Sequence, residues 1–468
     1  MFIKNNKIRF SIITFILTLS AFLRLYRLND LMPFIGDFAW FYISARDMIL
    51  SGNIPLVGIA SSHTWVHQGP LWTYILAIPL LISNFNPVSG GYLAAILGVL
   101  TVFLVYKIGT QMFSRFVGFA AAFLYASSPL VVVHARMPYH TSFIPLMALL
   151  FVFFIYRWIK GDIRFLPLAV FALGVLYNLE LATMVFWILL ILIFAYGFIK
   201  RKLWFTQALK PNVIFLSIFL FLLVMLPMII HDVREYSGFY QTTAFFRLIK
   251  IYLFSSSHTI LFEAMPNIFS SLFLYNQRLV FLANGTIAYL FTLISFFFLT
   301  LVIYKRHKKK KSILSLLLLG LWITIPLCAI LIGRTASEAY MPILFPAIIL
   351  SISLLFSYIY KRHALIAFVG ILLFVIVNSY LLITKNYLMK NGYGVPIIDR
   401  INVVNKIIKE SGEEEYNIRG IGEGSQYESF AKGYEYLAWW LGKQPSKKKT
   451  KMQFTIQETS NEVIINNN

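Results

Sequence analysis

Asp37 lies in the stretch GDFAWFYISARDMILSGN, residues 36–53, directly after the first long apolar run of the chain. A carboxylate there can take a proton from an attacking hydroxyl or amine, or it can cap the free N–H groups of the helix that follows. The two uses compete, because a capping carboxylate is stabilised as its anion and is a weaker base. Other chemistry-bearing groups recur at the ends of later apolar runs. HARMPYHTSFIP, 134–145, carries Arg136, Tyr139 and His140; SSHTWVHQGPLW, 61–72, carries His63, Trp65, His67 and Trp72. SEAYMPILFP, 337–346, brings Tyr340 just after Arg334, and the polar segment 231–281 holds Asp232, Arg234, Arg247, Lys250 and Arg278. A cation at the end of an apolar run needs a reason: snorkelling, an ion pair or an anionic ligand. Arg136, Arg234, Arg247, Lys250 and Arg334 together suggest a phosphate-binding cavity, with Trp40, His63, His67, Tyr139, His140 and Tyr340 as its walls. His63 and His67 are four apart but run into Gly69–Pro70, which opposes the helix that a metal pair would need. No metal or cofactor is expected. Glu180 is read as solvated or as a partner of one of these cations.

The elements that position these groups belong to a membrane. The chain has 468 residues, 59% hydrophobic and only 13% charged, with 44 Phe and 26 Tyr. Repeated apolar runs near 20 residues indicate an all-α polytopic protein. The lone cysteine, Cys328, excludes an intrachain disulfide. The net charge of +22 invites a nucleic-acid reading, but the excess sits in short clusters between apolar runs, such as Lys200–Lys202 and Lys305–Lys311. That is the positive-inside pattern, so no nucleic-acid partner is expected. Parity between clusters predicts eleven spans: 8–28, 88–106, 116–134, 141–156, 165–179, 181–199, 212–230, 282–304, 313–332, 339–359 and 364–384. The first reads as an uncleaved anchor with the N-terminus cytoplasmic. YNLE, 177–180, is the expected outer turn between two spans. Residues 69–83, with Pro70 and Pro79, are too short to cross and are placed at the outer interface or as a re-entrant helix. The apolar positions after Asp37 recur at helical spacing, predicting an interfacial amphipathic helix ended by Gly52 and Pro55. The predicted division is a membrane module, 1–384, with outer loops 29–87 and 231–281, and a small extracytoplasmic α/β tail, 385–468, whose end is expected to fray.

These stretches in this order resemble the GT-C superfamily of membrane glycosyltransferases, specifically the protein O-mannosyltransferase and aminoarabinose-transferase-like family. Gly36–Asp37 with FAWFYISARDM is similar to that family's acid-bearing first-loop helix, and HQGPLWTYILAIPLL to its second, non-spanning helix. HARMPYHTSFIPL is similar to its arginine segment, and EAYMPILFPAIIL to its late aromatic segment. The resemblance implies the GT-C fold, a polyprenyl-phosphate sugar as donor, and an inverting transfer with Asp37 as general base. The acceptor is left open between protein, lipid and glycan. Two positions depart from the pattern: Phe38 replaces a usual second acid, and Tyr139–His140–Thr141 stand where many relatives carry an aspartate. Two other readings stand beside this one: a transporter or flippase of a lipid-linked anionic substrate, and a catalytically silent scaffold. Ionisable groups at helix ends rather than mid-membrane, and the lack of internal repeats, favour the enzyme.

Overall fold

The computed structural model describes residues 5–61, 65–236, 238–244, 246–248, 250, 261–334, 337–385, 395–422, 424–459 and 463–467. His63 lies outside the described residues. Nine helices among them are long and apolar enough to cross a membrane. Each coincides with an expected span, from Asn6–Leu25 through Ser89–Met112 to Ala364–Thr384. The other two expected spans are shorter helices. Arg115–Ser127 is followed after Ser128 by Pro129–His134, and Phe165–Leu179 is 15 residues long. Proline at the start of Pro129–His134 lacks the N–H that would continue the ladder, so the run is broken there. The fold is that of a multi-pass membrane protein. Large apolar side chains such as Phe215, Phe219, Leu223 and Phe297 are exposed on its outer helices, as a hydrocarbon solvent requires.

Residues 165–199 form two helices, Phe165–Leu179 and Val185–Ile199, broken at an extended Glu180 (φ −157°). Leu71–Ile82 is a 12-residue helix with Pro79 inside it. The segment 231–281, read as a loop, contains a 20-residue helix, Leu261–Val280. Its polar positions interrupt the apolar run, so it registers as loop in a search for spans.

The tail folds into a helix (Ile397–Ser411), three strands and a second helix (Lys432–Trp440). The strands are β1 (Tyr416–Ile421), β2 (Met452–Glu458) and β3 (Val463–Asn467) in the order β1-β2-β3. β1 and β2 run parallel, and β3 returns antiparallel with Ile465 opposite Ile456. Of the stretch expected to fray, residues 463–467 pair with β2 as an edge strand, and 461, 462 and 468 lie outside the described residues.

The helix that carries Asp37 runs Gly36–Ser51. It ends at Gly52 as predicted, with φ +74° and the Gly52 N–H bonded to Met48 O. One side packs on Leu71–Ile82 and another on Lys432–Trp440 of the tail, and Phe41, Tyr42, Ala45 and Arg46 are buried, while Phe38 is buried against Val133 and Met137.

Candidate active site

Asp37 is inside the first helical turn, not ahead of it. The N-cap is Ile35, which has no side chain able to cap, and Asp37 makes no capping bond. Among the described residues its half-buried carboxylate has no hydrogen-bond or ion-pair partner. The capping use is thus not the one that the structure adopts, and the carboxylate lone pairs stay available.

Opposite it is the 134–145 segment. Phe38 and Phe41 pack on Tyr139, ring centroids 4.7 and 5.9 Å apart, and Phe41 packs edge-on against His140 at 5.5 Å. Phe38, where an acid was missed, serves as wall. Burial first, then the negative fields of Asp37 and Glu180, hold the Tyr139 hydroxyl well above the usual tyrosine range. Tyr340 adds to the same effect. Tyr139 is therefore a neutral hydrogen-bond donor facing two carboxylates.

Glu180, read from the sequence as solvated or paired with a cation, lies beside these groups. Its side chain is only 15% exposed and pairs with no arginine or lysine among the described residues. Its Oε2 lies 3.3 Å from His140 Nε2 and 3.3 Å from the Gln68 amide. With Nε2 protonated, imidazole and amide both donate to the carboxylate. His140 is fully buried, and its Nδ1 has no partner among the described residues. The available signal was the break YNLE itself. An acid at a tight turn between two apolar helices cannot reach far into water.

Three 3-10 turns, His140–Ser142, Leu181–Met184 and Glu338–Ile343, meet beside these groups. Each leads directly into a long helix, so three helix N-termini with their partial positive charge converge there. Glu338 of the third turn is tied to His134 at 3.1 Å and to Arg278 at 2.9 Å, which fastens the Leu261–Val280 helix to the site's edge. Arg334 precedes this turn and Tyr340 lies within it, both half-buried.

The first loop supplies another wall. Gly69 N–H bonds to Asn178 O, and a Cβ at Gly69 would lie 2.0 Å from Asn178 Oδ1, so only glycine allows this approach. That contact delivers Gln68 to Glu180. His67 donates its backbone N–H to Gln241 and places Nδ1 3.1 Å from Gly58 O. Buried Asp232 orders the facing loop by accepting from Gln241 N–H, Thr242 N–H and the Thr242 hydroxyl at 2.7, 2.7 and 2.5 Å. That loop carries Arg247, whose guanidinium lies 3.6 Å from the Tyr240 ring centre and 5.2 Å from Trp65. Arg234 and Lys250 are exposed, and Trp40 is half-buried on the Asp37 helix.

Arg136 is tied to backbone through its Nη1. It is 2% exposed and donates to the carbonyls of Leu23, Arg24 and Tyr26 at 3.3, 2.9 and 2.8 Å. It caps the negative end of the first helix. Burial, then neighbouring Arg24, lower its pKa to about 10. Arg136→Met should therefore cost about 2–4 kcal/mol of stability and leave donor affinity unchanged. Thermal unfolding and donor binding measured side by side check this. Normal stability with lost donor affinity would return Arg136 to the phosphate set.

Residues 67–231 match the family model described as dolichyl-phosphate-mannose-protein mannosyltransferase. Among solved structures, the chain is similar to the Archaeoglobus fulgidus oligosaccharyltransferase in complex with Zn and sulfate. The TM-score is 0.62 at 12% identity, covering 91% of this chain and 61% of that one. It is also similar to AglB from the same organism in complex with an inhibitory peptide and a dolichol-phosphate (TM-score 0.57, 12% identity, 96% and 69% covered). ArnT from Cupriavidus metallidurans bound to undecaprenyl phosphate gives a TM-score of 0.57 at 11% identity, covering 97% of this chain and 93% of that one. The chain thus spans under two thirds of the length of the first of these, and nearly all of ArnT. None of the curated proteins compared matches in sequence.

Proposed function

The chain carries the fold of the GT-C membrane glycosyltransferases, and from that premise we propose that it transfers a sugar from a polyprenyl phosphate to an extracytoplasmic acceptor, with inversion at the anomeric carbon. The observation that carries the reading is Asp37: a half-buried carboxylate without a partner among the described residues, acting on the same half-buried tyrosine, Tyr139, as Glu180. Two of the similar structures contain a polyprenyl phosphate, which supports the donor class.

The chemistry follows from what each group can do. The donor tail stays in the bilayer and its phosphate reaches the outer boundary. Half-buried Arg247 and Arg334, with the convergent helix N-termini, offset the charge that grows on the departing phosphate. That leaving group needs little protonation, since its second pKa is about 6. Asp37 takes the proton from the acceptor hydroxyl or amine as the oxygen or nitrogen attacks the anomeric carbon. Arg234 and Lys250 act from the exposed rim, where they steer an anionic headgroup without being desolvated. Tyr139 and the His140–Glu180–Gln68 group orient the sugar or acceptor by hydrogen bonds. In this reading the N-terminus is cytoplasmic and the tail extracytoplasmic.

The test is transfer of labelled sugar by the purified full chain from polyprenyl phosphate mannose to cell-envelope material. Expected are a labelled acceptor, stoichiometric release of polyprenyl phosphate and inverted anomeric configuration. Movement of intact donor across vesicles without release of polyprenyl phosphate would instead establish the flippase reading. Glu180→Gln keeps shape but removes charge, and it should lower kcat/KM roughly tenfold, about 1.4 kcal/mol. Full activity in that variant would leave Glu180 with a purely structural role.

A further inference from the structure

Resting on the reading of Asp37 as base, we propose that the C-terminal unit is a positioning element for catalysis, clamping the Asp37 helix through Gly36 at its first turn and Arg46 near its end. A Cβ at Gly36 would lie 1.7 Å from the Ser429 carbonyl oxygen and 2.4 Å from its carbon. Backbone of the tail thus rests directly on the residue before Asp37, and no side chain fits between them.

The contact continues along the helix. Tyr42 and Phe34 pack on Tyr436, centroids 5.2 and 5.9 Å apart, and the Tyr436 hydroxyl donates to Phe85 O at 2.8 Å. The Arg46 guanidinium lies 4.8 Å from the Trp439 ring centre, with Arg46 only 9% exposed. Trp439 in turn packs edge-on against Phe85 at 5.3 Å. Ahead of the helix, Ile397 N–H bonds to Met32 O at 3.0 Å and Gly433 approaches Phe34 O. Segment 32–46 is therefore gripped from the tail at both ends and in the middle, while its other side packs on Leu71–Ile82.

The physical need is plain. Asp37 has no bond of its own among the described residues to fix it, so its place is set by the helix alone. A displacement of about 1 Å at a reacting group can cost roughly 100-fold in rate. A helix held only by the membrane bundle would be free to rock about that contact, and the tail removes this freedom.

The experiment uses the full chain with polyprenyl phosphate mannose as donor probe and compares Trp439→Ala, Trp439→Phe, Asp37→Asn and the double variant Asp37→Asn/Trp439→Ala. Trp439→Ala should lower kcat about 10–100-fold with donor KM within about twofold, and Trp439→Phe should restore most of it. Because Trp439 acts through Asp37, adding Trp439→Ala to Asp37→Asn should cause no further loss. Unchanged kcat in Trp439→Ala beside an inactive Asp37→Asn overturns the positioning role alone, and so does an additive loss in the double variant. Full activity in Asp37→Asn removes the base and the positioning role together. A donor-free readout runs in parallel: Asp37→Cys in a Cys328→Ser background, alkylated by a water-soluble maleimide. Trp439→Ala should speed alkylation by about fivefold or more as local opening becomes easier; equal rates overturn the clamp.

Discussion

Replacement of Asp37 by asparagine is expected to slow transfer by roughly 10²–10⁴-fold, about 3–5 kcal/mol in the barrier, while donor affinity stays within about twofold. Asparagine keeps the size of the side chain and loses only the proton acceptor. Because the carboxylate has no partner among the described residues, its loss leaves no bond unmade in the resting protein. Folded yield and melting temperature should therefore match those of the unaltered chain. This separates a catalytic from a structural role more cleanly here than at most buried acids, where activity and stability fall together. Steady-state transfer and donor binding, measured on the same preparation, decide the matter. Transfer within about threefold of the unaltered chain would remove Asp37 as base.

Glu458→Ala should have the largest effect on stability, about 3–5 kcal/mol within the C-terminal unit. Arg400 is 2% exposed, and its guanidinium holds Glu458 at 2.7 and 2.8 Å, with the Tyr434 hydroxyl donating to the same carboxylate at 2.7 Å. Removing Glu458 strands a buried cation and a buried hydroxyl at once. The consequence is not confined to the tail, because Arg400 sits on the helix whose first residue, Ile397, bonds to Met32 ahead of Asp37. Limited proteolysis should cut the tail of the variant at a temperature well below that for the unaltered chain. Replacing both partners with methionine should recover much of the loss, since no unpaired charge remains. An unchanged cleavage midpoint in Glu458→Ala would show that the pair contributes nothing net.

The sequence by itself determined the layers and their order. Apolar runs of membrane length, basic clusters between them and the break at 177–180 are one-dimensional signals. A bilayer makes them decisive, because every backbone group within it must be satisfied inside its own helix. Asp37 was legible for the same reason: a carboxylate at the end of a span is conspicuous. What only the tertiary structure decided is where side chains from different spans meet. Arg136 and Arg247 look alike along the chain. Arg136 is fully enclosed with its Nη1 on the carbonyls at the end of the first helix, whereas Arg247 is half-buried against Trp65 and Tyr240 and donates to the Tyr240 carbonyl. Glu180 reads as solvated or as a partner of a cation until the helices are packed, when His140 and Gln68, 40 and 112 positions away, close around it. The tail reads as a separate appendage until Ser429 is found against Gly36. Hydrophobic length acts locally and is written in consecutive residues. Burial of a polar group depends on which distant surfaces exclude water from it, and no stretch of sequence records that.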